Sequence, residues 1–118
     1  LRPSIDGAYK DMKNKLFNDS PELPTAFFAD NDFIAIGAVR AMKECGIKIP
    51  EDVSIIGFDD VSFSKVCRPK LSTVKVPKQY LGKLAVKRLI EKIQNQDKIA
   101  QKIKVNTELI ERNSVTEK

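Results

Sequence analysis

The stretch Val53-Ser54-Ile55-Ile56-Gly57-Phe58-Asp59-Asp60 constrains this chain more than any other. An apolar run rich in Val and Ile leads into a glycine, an aromatic and two carboxylates. Such a run is what a strand buried on both faces requires. The aspartates fall where that strand ends, and open parallel sheets bind ligands just outside the carboxyl ends of their strands. The apolar half is therefore expected in the core and the acidic half at a crevice. A plainer role also exists, with Asp59 or Asp60 capping a short helix around Ser62 to Val66.

A similar arrangement lies upstream. Thr25 to Ala29 reads as a second buried strand. Asp30-Asn31-Asp32 follows, and then Ile34, Ala35, Ala38, Val39, Met42 and Cys45 share one helix face. Gly46 ends that helix in a left-handed conformation. Asp30 or Asn31 is a natural N-cap, yet capping does not require all three polar residues. Strand, helix and strand in this order form a βαβ unit, which implies a parallel pair with a right-handed crossover.

The flanks follow the same rules. Ile5, Ala8, Tyr9, Met12 and Leu16 predict a helix from Ser4 to Phe17, and Asn18 to Pro24 a loop. Leu71 to Val76 alternates as a strand that Pro77 ends. Leu81, Leu84, Ala85, Leu89 and Ile93 predict a long helix from Lys78 to Asn95. Gln94 to Lys98 reads as a polar turn, Ile103 to Ile110 as a half-exposed strand, and Arg112 to Lys118 as a polar tail.

Composition narrows the function. The chain has 118 residues, 42% hydrophobic and 31% charged, which suits one soluble domain with a real core. No apolar run approaches the roughly 20 residues of a membrane span, so no membrane partner is expected. The net charge of +5 is diluted by neighbouring acids, and Lys83, Lys87 and Arg88 read as solvated surface more than a nucleic-acid footprint. There is no histidine, which removes His-dependent nucleophilic triads. Cys45 and Cys67 match no metal spacing and are expected as buried, unbridged thiols in a reducing cytoplasm, with Cys45 in the core beside Met42. Two enzyme-like readings are weaker. A phospho-receiver needs its acidic pair and phosphoacceptor after different strands from those present. A phosphatase could use Asp30 and Asp32 as an Asp-x-Asp pair but lacks the later lysine and acidic pair. An enzyme is therefore not expected, nor any metal or cofactor.

The motifs at this point resemble a known family. Pro24 to Asp32 followed by Ala35-Ile36-Gly37-Ala38, Gly46 to Asp60, Pro69 to Val74, and Leu109-Ile110-Glu111-Arg112-Asn113-Ser114 look like the effector-binding domain of the lactose-repressor/galactose-repressor family. The match runs through nearly the whole chain but covers only the last third or so of such a regulator. It implies an α/β, periplasmic-binding-protein-like (type I) fold, a parallel sheet flanked by helices, here mostly the carboxyl-terminal subdomain. Residues 1–76 would belong to that subdomain, 77–104 would cross into the amino-terminal one, and 105–118 would return. The resemblance implies that Asn31 and Asp59 hydrogen-bond a sugar or purine effector. Arg2 stands where many relatives carry an aromatic that packs on the ligand, and it can stack or pair with an anion instead. Val76 stands where some sugar-binding relatives have glutamine. The family also implies a cytoplasmic homodimer, built around the helix from Asp32 to Cys45 and the segment Ser62 to Arg68. Operator DNA would be bound only through a headpiece absent from this chain. A sugar-binding protein of a transport system shares the fold and is the alternative. The apolar face of the 78–95 helix would lack its usual partners, so it is expected to fold back or to pack against another copy.

Overall fold

A computed structural model of the chain describes residues 1–19, 22–95 and 98–117. Two parts of the expected loop and polar turn, Ser20-Pro21 and Gln96-Asp97, lie outside the described residues. The elements run α1 (Ile5–Asp19), β1 (Ala26–Phe28), α2 (Asp32–Glu44), β2 (Ser54–Phe58), a 3-10 turn (Ser62–Lys65), β3 (Ser72–Lys75), α3 (Lys78–Asn95) and β4 (Glu108–Ile110). Two compact units emerge. The first joins Leu1–Lys75 to Glu108–Lys118, and the second is Val76–Thr107.

The first unit is a four-stranded sheet in the order β1-β2-β3-β4. β1 and β3 both run parallel to β2, and β4 runs antiparallel to β3. The α/β fold class and the βαβ unit are thus as expected. Val53 and Ile55 are buried, and β2 lies inside the sheet. β1 differs from expectation. It is an edge strand whose Ala26 and Phe28 are both exposed, Phe28 at 64%. The half-exposed strand expected from Ile103 shortens to Glu108–Ile110, the stretch whose residues pair with β3.

Helix ends follow local chemistry. The Ser4 hydroxyl accepts from the Gly7 amide at 3.1 Å, capping α1. At the end of α2, Gly46 takes φ 81°, Ile47 N–H donates to Met42 O and Gly46 N–H to Lys43 O. This Schellman pattern needs a residue without a Cβ penalty at that position. Cys45 is the C-cap of α2 and is exposed, which corrects its expected place in the core. The apolar face ends at Met42, and the helix terminus carries Cys45 out to solvent. Cys67 is part-buried and packs against the core, and both thiols are free.

α1 packs on α2 through small residues. A Cβ on Gly37 would meet Ile5 O at 2.4 Å, so the two backbones approach too closely for any side chain there. Ala8, Ala35, Ala38, Met42 and Met12 fill the core around this crossing. The rim is polar. Tyr9 Oη donates to Glu44, Lys13 Nζ donates to both, and Arg40 lies 4.4 Å from the Tyr9 ring centre. The hydrogen bond from Lys13 and then that from Tyr9 hold Glu44 below the usual carboxylate range.

The carboxyl-terminal segment is more than a polar tail. Ser114 is buried, its hydroxyl donates to Ile55 O at 2.6 Å and accepts from Ser72 N–H at 2.8 Å, and its carbonyl accepts from Ile55 N–H. The segment thereby stitches the starts of β2 and β3 together. In the second unit, no residue of α3 is buried. Among the described residues no helix is long and apolar enough to cross a membrane.

Candidate functional site

The candidate site is the carboxyl end of the sheet, where β1 and β2 lie side by side and deliver Asn31 and Asp59. Asn31 is the N-cap of α2, with its Oδ1 accepting from Ile34 N–H at 2.9 Å. It is partly exposed, so the amide nitrogen and the second oxygen lone pair remain chemically useful beyond the cap. Asp59 follows β2 and donates its backbone N–H to Val74 O at 2.9 Å, extending the β2–β3 ladder by one bond.

The β2 exit loop is strained. Asp59 has φ 107° and Asp60 φ 52°, a region that non-glycine residues enter at a cost of order 1–3 kcal/mol each. Two buried carboxylates hold it. Asp60 Oδ1 pairs with Arg112 Nη2 at 2.6 Å, with only 9% and 12% of the side chains exposed, and Arg112 Nη1 donates to Leu71 O. Asp60 therefore serves an ion pair. The 3-10 turn after it has Val61 as its N-cap residue, which makes no side-chain cap hydrogen bond, and the Asp60 carboxylate is taken up by Arg112.

Asp32 is the second clamp. It is 0% exposed. Its Oδ2 accepts from Val61 N–H at 2.8 Å and Ser64 Oγ at 2.6 Å, while Oδ1 accepts from Thr73 Oγ1 at 2.5 Å. One side chain thus ties the β1–α2 junction to the β2 exit loop, the 3-10 turn and β3. It starts α2, where the helix dipole favours negative charge. Buried and fully engaged in this way, it is not available as half of an Asp-x-Asp nucleophile pair. Gly57 makes room for it: a Cβ there would lie 2.2 Å from Asp32 Oδ1.

Sequence reasoning missed both clamps, although Asp32 left a trace. It shares the helical stripe of Ala35, Val39 and Met42, which are buried, and a carboxylate on such a stripe must find buried donors. The Asp60–Arg112 pair spans 52 residues and has no local signature.

Arg2 is placed differently from Asn31 and Asp59. Its guanidinium and backbone N–H both reach Asp11 on α1, at 2.6 and 2.9 Å. The hydrogen bond from Arg2 pulls the Asp11 carboxyl down from its ordinary 3.8 to about 2. Beside this end of α1, a cavity of about 390 Å³ is lined by Leu1, Met12, Lys15, Phe28, Asp30 and Ile34 among others, along the open edge of β1. Among the described residues, no group of three or more His, Cys, Asp or Glu could hold a metal ion.

Known proteins share this fold. Residues 1–115 match the family model described as a periplasmic binding protein-like domain. The chain is 44% identical over 95 residues to a probable HTH-type transcriptional repressor ExuR of Bacillus subtilis, covering 80% of this chain and 28% of that protein. A LacI family transcriptional regulator from Enterococcus faecalis V583, with bound ribose, superposes with a TM-score of 0.84 at 36% identity, over 97% of this chain and 41% of that one. A lac repressor dimer bound to operator and the anti-inducer ONPF gives 0.84 at 29% identity, over 95% and 38%. The chain therefore spans well under half the length of each. It belongs to the periplasmic-binding-protein-like domain family, in the form that domain takes in lactose-repressor/galactose-repressor (LacI-type) transcriptional regulators.

Proposed function

We propose that this chain is the effector-sensing and dimerisation part of a cytoplasmic LacI-type transcriptional regulator, and that its effector is a sugar or a related small molecule. The observation that carries the reading is the delivery of Asn31 and Asp59 by adjacent parallel strands to one end of the sheet. An amide and a carboxylate together offer donors and acceptors that match a polyol, and a site built on them rejects ligands that leave those groups unpaired. Ribose bound to the Enterococcus faecalis relative supports that class of ligand. Arg2 completes the ligand set. Its guanidinium leaves Asp11 for a planar or anionic group on the effector, a role that suits a fork of fixed donors.

In this reading, residues 1–76 and 105–118 form the carboxyl-terminal subdomain, and 77–104 contribute to the amino-terminal one. Operator DNA is contacted through a headpiece outside this sequence. The chain itself performs no catalysis. The homodimer uses α2 and the segment Ser62 to Arg68, where Phe63 and Val66 are 58% and 67% exposed and supply apolar surface for a partner copy.

Calorimetry of the intact regulator against pentoses, hexoses and purine bases tests this. Binding by one of these classes is expected, and Asp59→Ala should weaken it by about 1–3 kcal/mol, the loss of a hydrogen bond to a ligand group. A regulator that binds none of the panel, or binds equally well with Asn31→Ala and Asp59→Ala, overturns the reading. Sedimentation of Val66→Asp should show a shift towards monomer, and an unchanged dimer would remove the interface.

A further inference from the structure

We propose that Asp32 is a positioning residue for effector binding, acting with Gly57 as one device that sets the shape of the loop presenting Asp59; this rests on the effector-site reading above. Two observations converge. The loop Asp59-Asp60-Val61 is in a conformation its own residues disfavour, so it keeps that shape only where the surroundings over-determine it. The buried Asp32 carboxylate supplies that determination from the neighbouring strand's exit, through Val61 N–H and the Ser64 hydroxyl on one oxygen and Thr73 on the other.

The same carboxylate follows Asn31 directly in sequence. A shift of Asp32 therefore moves the Asn31 backbone and releases the Asp59 loop together, so both ligand-facing groups are set by one buried side chain. Gly57 decides whether that side chain fits, since any Cβ at 57 would overlap Asp32 Oδ1. Asp32 touches no ligand in this scheme. It acts through the residues on either side of it.

The geometry also predicts which substitutions are tolerated. In Asp32→Asn the amide oxygen can keep Val61 and Ser64, while the new NH2 group donates to the Thr73 hydroxyl, which can turn to accept. Asp32→Ala loses all three bonds. Gly57→Ala displaces the carboxylate without removing it. Because Ala at 32 has no Oδ1 to strike, Gly57→Ala should cost less in the Asp32→Ala background than alone, although Leu71 Cδ2, 3.0 Å from the new Cβ, must still give way.

The test has two arms. Amide hydrogen exchange on the 118-residue chain, well below its melting temperature, needs no ligand. Asp32→Ala should speed exchange at Val61 and Asp59 by roughly 10–100-fold, as for loss of a hydrogen bond to a charged group, with α1 and the interior of α2 still protected. Asp32→Asn should restore most of that protection, and Ser64→Ala, which removes a single bond, should give a smaller local effect if Asp32→Ala fails to fold. A uniform acceleration across the core, or none at Val61 and Asp59, overturns the proposal. The second arm measures ribose affinity of the intact regulator at a temperature where each variant is folded. Asp32→Ala should weaken it by about tenfold or more while Asp32→Asn stays near the parent; equal weakening in both, or unchanged affinity in Asp32→Ala, also overturns it. If the parent regulator does not bind ribose, the same arm is run with whichever pentose, hexose or purine base it does bind; if it binds none of them, the effector reading is at fault, and the exchange arm still decides the role of Asp32.

Discussion

α2 and α3 carry comparable apolar spacing, yet they meet opposite fates. α2 has 13 residues, and eight are buried: Asp32, Ile34, Ala35, Gly37, Ala38, Val39, Ala41 and Met42. α3 has 18 residues and buries none, leaving Val86, Leu89, Ile90 and Ile93 exposed. The two helices differ in what adjoins them. α2 sits in a βαβ unit whose own strands and neighbouring α1 cover it. α3 belongs to the unit Val76–Thr107, whose described residues contain no strand to cover it. The lesson is that periodicity identifies a face but not its occupant. The α3 stripe, expected either to fold back or to pack against another copy, is left exposed in this chain.

The contrast can be broken most sharply at the ion pairs. Arg112–Asp60 and Arg88–Glu91 have similar lengths, 2.6 and 2.9 Å, but the first is buried and the second lies on α3 with 48% and 38% exposed. Arg112→Met should destabilise the chain by about 3–5 kcal/mol, because it strands a buried carboxylate. Arg88→Met should cost about 0–1 kcal/mol. Urea unfolding of both variants measures this, and equal losses would show that α3 is packed in solution.

Next come the core side chains. Met42→Ala should cost about 2–5 kcal/mol, since Met42 is wholly buried. Leu89→Ala should fall within about 0.5 kcal/mol in the monomer, as surface substitutions do. A concentration-dependent loss in Leu89→Ala would sharpen the picture by pointing to association through α3.

The smallest effect expected is a pH dependence confined to α1. Arg2 holds Asp11 at about 2 instead of the ordinary 3.8. A carboxyl depressed in the folded state contributes stability that is present above its unfolded value and is lost as pH falls towards its folded one. The melting temperature should therefore decline more steeply between about pH 4 and 2 in the parent than in Asp11→Asn. Parallel curves would mean that the pair does not form in solution.

Much of the first unit could be read from the sequence, because its elements are written in local pattern. The Gly46 helix stop, the α2 face and the β1-α2-β2 unit all follow from spacing and turn chemistry. The edge exposure of β1 could not be read, since an apolar run does not reveal whether a neighbour lies on its far side. The same limit hid the site's support. Asn31 and Asp59 stand out as polar residues at strand ends. Asp32 reads from sequence only as part of an acidic cluster at a helix start, or as half of an Asp-x-Asp pair, because its donors lie 29 to 41 residues away. A glycine inside a strand, as Gly57 is, marks a place of close approach. What approached it was a side chain, and only three dimensions could say which.

The pairing of β3 with β4 has a consequence for how the molecule can be taken apart. The main chain leaves the first unit after Lys75 and re-enters at Glu108, and those two residues are partners in an antiparallel ladder. Everything between them is, topologically, a cassette inserted into a hairpin. The exit and entry points are already one strand spacing apart, so the gap can be closed without stretching. Replacing residues 76–107 with an Asn-Gly turn, the two-residue connection such a ladder favours, should yield a smaller self-sufficient protein that keeps the α2 core and the Asp32 clamp. Retention of cooperative thermal unfolding by circular dichroism would establish the cassette as separable. Its loss would show that the hairpin depends on the insert it carries.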